Sequence, residues 1–184
     1  MKDCKVFVAA GSKNPNDENI TKQAKWLGTY LAENGYTYVQ GGSKHGLMGA
    51  TYNAFAKKSK KIILHIWEVF VEKDLHLFTG KIKIHKSLND RLKGFIKDTD
   101  VLIVLPGGNG TLHEFATFFE YCRVKNNDYK IILVNHNGFY NPLIDLQNKQ
   151  MEFGFDVRYS FYKIVNVVKN VEEAVKLLPK ITKQ

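Results

Sequence analysis

The sequence predicts a single-domain α/β protein, a Rossmann-like doubly wound parallel sheet with helices on both faces. Three observations predict it. Apolar runs of strand length alternate with segments of helical period along the whole chain. Those runs are apolar throughout, as strands covered on both sides must be. The 184 residues suffice for one domain burying roughly 70% of its unfolded surface and fall short of two.

Lys5 to Ala10 reads as the first strand and Asp17 to Asn34 as the helix that follows. Tyr36 to Gln40 and Ile62 to Trp67 read as strands on either side of a helix over Leu47 to Lys57. Leu88 to Lys97 is an amphipathic helix, Val101 to Leu105 a strand and Leu112 to Val124 a helix. Strand Ile131 to Val134, helix Pro142 to Phe153, strand Ile164 to Val168 and helix Val171 to Leu178 complete the alternation. The interval from Glu68 to Lys86 is the least regular and reads as an excursion over the sheet edge or the active site.

Composition excludes several classes. Hydrophobic content of 44%, charged content of 24% and four prolines are ordinary globular usage. The amino terminus enters an apolar strand without a basic segment, and no apolar run approaches the roughly 20 residues of a membrane span, so a cytoplasmic protein with no membrane partner is expected. Cys4 and Cys122 match no metal or redox spacing and read as packing residues. The net charge of +9 fits an anionic small substrate as well as nucleic acid. Its densest run, Lys57, Lys58, Lys60 and Lys61, reads as a solvated helix end. The loops show no aromatic and basic interleaving of the single-strand-binding kind, which disfavours a nucleic-acid partner.

In a doubly wound sheet, ligands bind beyond the carboxyl ends of the strands. Three loops there are rich in glycine or small polar residues: Gly11-Ser12, Gly41 to Gly46, and Pro106 to Thr111. Glycines at a strand-to-helix turn let the backbone approach an anion, and the helix amides supply the field. The Gly41 to Gly46 loop lacks the Lys-Ser/Thr pair of a nucleoside-triphosphate loop, and no segment carries the full dinucleotide fingerprint. Glu114 follows Thr111 by three residues, a spacing that fits a capping box and equally places a carboxylate beside a sugar held at the loop. Arg91 suits bidentate contact with phosphate or ribose oxygens. His45 and His113 flank the glycine loops as candidate acid, base or recognition residues.

Gly41-Gly42 followed by Gly46-Leu47-Met48-Gly49, and Pro106-Gly107-Gly108-x-Gly110-Thr111-x-x-Glu114, together resemble the LOG (LONELY GUY) family, often misannotated as lysine decarboxylases. The resemblance runs from Val6-Phe7 through Gly138-Phe139-Tyr140-Asn141. It implies a cytokinin riboside 5′-monophosphate phosphoribohydrolase that releases free base and ribose 5-phosphate without metal or organic cofactor, as a homodimer or a multiple of dimers. It also implies Arg91 and Glu114 as the catalytic pair. By the same resemblance Gly108, Gly110 and Thr111 hold the phosphate; from the loops themselves Ser12, Gly42, Gly46, Met48 and Gly107 are further candidates for binding substrate or its phosphate, with Lys44 a candidate helper. Two departures stand out: the family's Met-His-x-Arg-Lys reads Leu88-Asn89-Asp90-Arg91-Leu92, and His113 replaces a second acidic residue found in many members. Nothing resembles a lysine placed for a pyridoxal Schiff base. The alternatives are a non-catalytic nucleotide-binding or sensing module and an N-glycosidase acting on ordinary mononucleotides such as CMP or AMP.

Overall fold

The computed structural model describes residues 4–71, 78–125, 130–155 and 161–182. Seven strands form one parallel sheet: β1 (Lys5–Ala9), β2 (Thr37–Gln40), β3 (Ile62–Trp67), β4 (Lys81–His85), β5 (Val101–Val104), β6 (Lys130–Val134) and β7 (Val165–Val168). Their spatial order is β4-β3-β2-β1-β5-β6-β7, and every neighbouring pair is parallel. The chain therefore builds outward from β1 to β4, returns to lay β5 against the other side of β1, and builds outward again. The reversal between β1 and β5 is the switch point where such sheets bind ligands.

Alternation along each strand divides the core in two. Val6, Val8, Val101 and Ile103 face α1 (Glu18–Glu33), α2 (Gly46–Ala56) and α7 (Val171–Thr182), whose Leu27, Leu47 and Val175 close that layer. Phe7, Ala9, Leu102 and Val104 face α3 (Leu88–Lys97), α4 (Asn109–Lys125) and the short α6 (Phe161–Ile164), with Phe95, Phe118 and Phe161 filling the space. Phe7 stacks on Phe95 with centroids 4.2 Å apart. Such aromatic pairs add about 1 kcal/mol beyond the area they bury. Cys122 packs in this second layer. The remaining helix, α5 (Asn141–Glu152), follows β6.

Helix starts follow local chemistry. Asp17 caps α1 by accepting from the Asn19 and Ile20 amides at 2.8 and 3.4 Å. Ser87 caps α3 by accepting from the Asp90 amide at 3.1 Å. After α2, Lys58 pairs with Glu33 at 2.8 Å, so part of the basic run is a solvated helix end tied to α1. None of the helices among the described residues is long and apolar enough to cross a membrane.

The structure departs from the sequence reading in several places, among them a missed strand and two element starts. The interval Glu68 to Lys86 contains a seventh strand, β4, paired with β3 from Ile63↔Lys81 to Trp67↔His85, and residues 72–77 of that interval lie outside the described residues. Helix α4 begins at Asn109 and not at Leu112. The last strand begins at Val165, because Ile164 closes α6.

Candidate active site

The three glycine-bearing loops interlock at the switch point. The Gly11 amide donates to the Pro106 carbonyl at 3.1 Å, and the Met48 amide donates to the Gly11 carbonyl at 3.2 Å. Gly46 has φ +61°, and a β-carbon there would stand 2.4 Å from the Lys13 carbonyl oxygen and 2.6 Å from that of Gly11. Gly107 is equally constrained, since a β-carbon would lie 2.2 Å from Thr111 Oγ1 and 2.8 Å from the Gly11 nitrogen. Gly108 and Gly110 differ: a β-carbon at either meets nothing within 4 Å. Their bareness leaves open space above the helix start.

That start has the geometry that can receive an anion. The first bond of α4 runs from the Leu112 amide to the Gly108 carbonyl at 3.1 Å, so the amides of Asn109, Gly110 and Thr111 lack intrahelical acceptors. They lie beyond the carboxyl end of β5, where dipole and orphan donors favour negative charge. Because the helix begins early, Thr111 falls in its first turn and Glu114 in its second, so the capping-box spacing is not used as a cap.

Arg91 and Glu114 meet because both α3 and α4 begin at this edge of the sheet. Arg91 Nη1 stands 3.5 Å from Glu114 Oε1. Arg91 is fixed from three other sides: Nε donates to the His65 carbonyl at 2.8 Å, Nη2 donates to the Gly41 carbonyl at 3.3 Å, and the guanidinium carbon lies 4.7 Å from the Phe95 ring centroid. Glu114 is only 8% exposed. Burial pushes its carboxyl up to about 7, with the Arg91 charge opposing the rise. Burial also draws the Arg91 guanidinium below its usual value, opposed by Glu114. A guanidinium nevertheless stays protonated at neutral pH. The result is a fixed cation beside a carboxyl poised between its two states, next to unsatisfied helix amides.

The other sequence-predicted residues sort by place. Gly42 has φ +82°, and a β-carbon there would stand 2.5 Å from Ile66 Cγ1. Ser12 is exposed beside the switch point. Met48 is buried in the core below Gly41, with its Cε 3.2 Å from where a Gly41 β-carbon would be. His45 and His113 are exposed, and His45 precedes α2 without capping it through its side chain. Lys44 Nζ lies 4.6 Å over the Phe78 ring, beside Tyr52 and Thr79. At the departures around Arg91, Asn89 is exposed while Leu92 packs in the core.

Sequence reading missed two supporting residues. Gln40 is 0% exposed and clasps the second glycine loop, donating to the Ser43 and Met48 carbonyls and accepting from the Gly42 and Ser43 amides. A glutamine closing a strand just before Gly41-Gly42 was a legible signal. Tyr140 donates its hydroxyl to the Leu105 carbonyl at 2.8 Å, bracing the chain immediately before Pro106.

Residues 47–178 match the family model described as "Possible lysine decarboxylase". A cytokinin riboside 5′-monophosphate phosphoribohydrolase of Arabidopsis thaliana is 30% identical over 152 residues, covering 82% of this chain and 71% of that protein. The chain belongs to the LOG family. A second LOG protein of the same name and organism is 27% identical over 175 residues, 95% of this chain and 81% of the relative. Among solved structures, the molybdenum cofactor carrier protein of Chlamydomonas reinhardtii superposes with a TM-score of 0.72 over 100% of both chains at 15% identity. That likeness shows that the LOG fold of this chain extends beyond the named hydrolases.

Proposed function

We propose that this LOG-family chain hydrolyses the N-glycosidic bond of a nucleoside 5′-monophosphate, giving free base and ribose 5-phosphate. The observation that carries the reading is the buried Arg91–Glu114 pair, 3.5 Å apart, set beside the orphan amides of α4. The phosphate sits on the amides of Asn109, Gly110 and Thr111, where the bare Gly108 and Gly110 admit it. The ribose then lies against Glu114 and Arg91. As the C1′–N bond breaks, its electron pair leaves with the base, and the ionised Glu114 stabilises the positive charge developing on the ring or orients the attacking water. Water adds its oxygen to C1′, and the proton it gives up balances the one that the departing base takes up, so the net step consumes one water. Arg91 favours the ionised form of Glu114 against the effect of burial and supplies donors to ribose or phosphate oxygens. Cytokinin riboside 5′-monophosphates head the candidate substrates because the curated relatives carry that name, with AMP-like mononucleotides next.

The test is incubation of the wild-type chain with a panel of nucleoside 5′-monophosphates, isopentenyladenosine monophosphate included, with free base and ribose 5-phosphate quantified by chromatography. Equimolar release of both products from at least one member is expected. Binding of a nucleotide without release from any member would replace the hydrolase with a nucleotide-binding module.

A further inference from the structure

Behind Arg91, away from the glycine loops, lies a buried polar chain that no step above uses. His65 on β3 is 0% exposed. Its Nδ1 is 2.8 Å from His85 Nε2 on β4, and its Nε2 is 3.0 Å from Asp98 Oδ2. Asp98 also pairs with Lys83, and Lys5 Nζ approaches it at 3.6 Å. Of two nitrogens so close, one must donate and the other accept. His65 Nε2 makes no well-directed hydrogen bond, but the Asp98 carboxylate 3.0 Å away favours the proton of His65 on that nitrogen, which leaves His65 Nδ1 as the acceptor and His85 Nε2 as the donor. A separation of 2.8 Å is a hydrogen-bond distance with no room for an ion between the rings.

The pair is built into the support of Arg91. The backbone carbonyl of His65 accepts from Arg91 Nε, and the His65 ring packs against Phe95 at 5.0 Å, the same ring on which Arg91 rests. Helix α3 makes room for both imidazoles by having no side chain at Gly94, three residues beyond Arg91. A β-carbon there would stand 2.5 Å from His65 Nδ1 and 2.8 Å from His85 Cε1. Glycine inside an amphipathic helix is a poor helix former, and here the imidazole pair explains it.

We propose that His65 and His85, braced by Asp98, are positioning residues that hold the Arg91 guanidinium in line with Glu114. Losing the His85 donor frees the His65 ring to turn into Phe95, which shifts the ring face on which Arg91 rests. This inference takes Arg91 to act on the ribose, as in the hydrolase reading above.

The test compares His85→Phe, which keeps a ring and loses the donor, with His85→Gln, which keeps a donor. Two quantities are read: kcat and KM for the nucleotide the wild type cleaves, and the NMR resonance of the Arg91 Nε–H, assigned by its loss in Arg91→Lys. His85→Phe is expected to lower kcat about tenfold or more with KM within about threefold, and to move the resonance. His85→Gln is expected to restore both. Should His85→Phe not fold, Gly94→Ala pushes the pair from the other side and is expected to give the same two effects. Unchanged kcat and an unmoved resonance in the folded variant, or equal damage from His85→Phe and His85→Gln, would overturn the proposal. If the wild type cleaves no nucleotide, the hydrolase reading fails and the resonance alone decides the positioning role.

Discussion

The Arg91 guanidinium occupies the space that a side chain at residue 41 would need: a β-carbon on Gly41 would stand 2.2 Å from Arg91 Nη2. The other close neighbour is the flexible tip of Met48, at 3.2 Å. The Met48 tip can swing aside, whereas Arg91 must give up its contacts with Gly41 and Glu114, so Gly41→Ala displaces Arg91 from Glu114. A loss of about tenfold or more in kcat/KM is expected, together with a lowered thermal midpoint, since the buried Glu114 loses its partner. Unchanged activity would mean that the position of Arg91 is not critical.

Two buried groups give stability opposing pH dependences. Burial lifts the Glu114 carboxyl from 4.5 to about 7. Between those values the folded chain holds a proton that the unfolded chain has released, so this contribution to stability falls as pH rises. Burial lowers His65 from 6.5 to about 4, so between those values the unfolded chain holds a proton that the folded chain refuses, and stability rises with pH. A tenfold change in proton affinity corresponds to roughly 1.4 kcal/mol, so each group contributes on the order of 3 kcal/mol, and in the wild type the two largely offset one another. Glu114→Gln should uncover the rising slope, leaving the variant more stable than wild type at pH 8, and His65→Gln should uncover the falling one. Denaturant unfolding at several pH values measures both. Superimposable curves for wild type and Glu114→Gln would rule out the raised carboxyl.

The glycines after β5 should separate folding from binding. Gly107→Ala would press a β-carbon to 2.2 Å from Thr111 Oγ1 and 2.8 Å from the Gly11 nitrogen, with backbone on one side that cannot yield cheaply. A stability loss of about 1–3 kcal/mol is expected. Gly108→Ala and Gly110→Ala meet open space, so their unfolding should stay within about 1 kcal/mol of wild type. Their nucleotide affinity should nevertheless fall, because the methyl group occupies the phosphate position. Calorimetric titration beside thermal unfolding distinguishes the two classes.

The doubly wound sheet was legible because its central strands are short runs apolar on both faces, as in Val101 to Val104. Strand β4 was missed because Lys-Ile-Lys-Ile-His offers no continuous apolar run, although its alternation is itself a half-buried strand pattern; it lies at the sheet edge, where lysines guard its free side. The early start of α4 hid for a related reason: asparagine and glycine are weak helix formers, so Asn109-Gly110 reads as loop. Arg91 and Glu114 could be nominated one by one from their chemistry, and only the family resemblance joined them as a pair. They lie on separate helices and meet only because β5 returns to the sheet centre beside β1. The His65–His85 contact joins residues twenty apart across an edge pairing, and neither residue stands out in its own segment.

The central claim is that Glu114 acts on the reacting sugar rather than merely packing under the phosphate loop. The most direct measurement compares Glu114→Gln with wild type for binding and for cleavage of the same nucleoside 5′-monophosphate. Glutamine keeps the shape and cannot carry the charge, so nucleotide affinity is expected to stay within about tenfold of wild type while release of free base falls by roughly a thousandfold. Wild-type rates of base release from a folded Glu114→Gln variant would contradict the account.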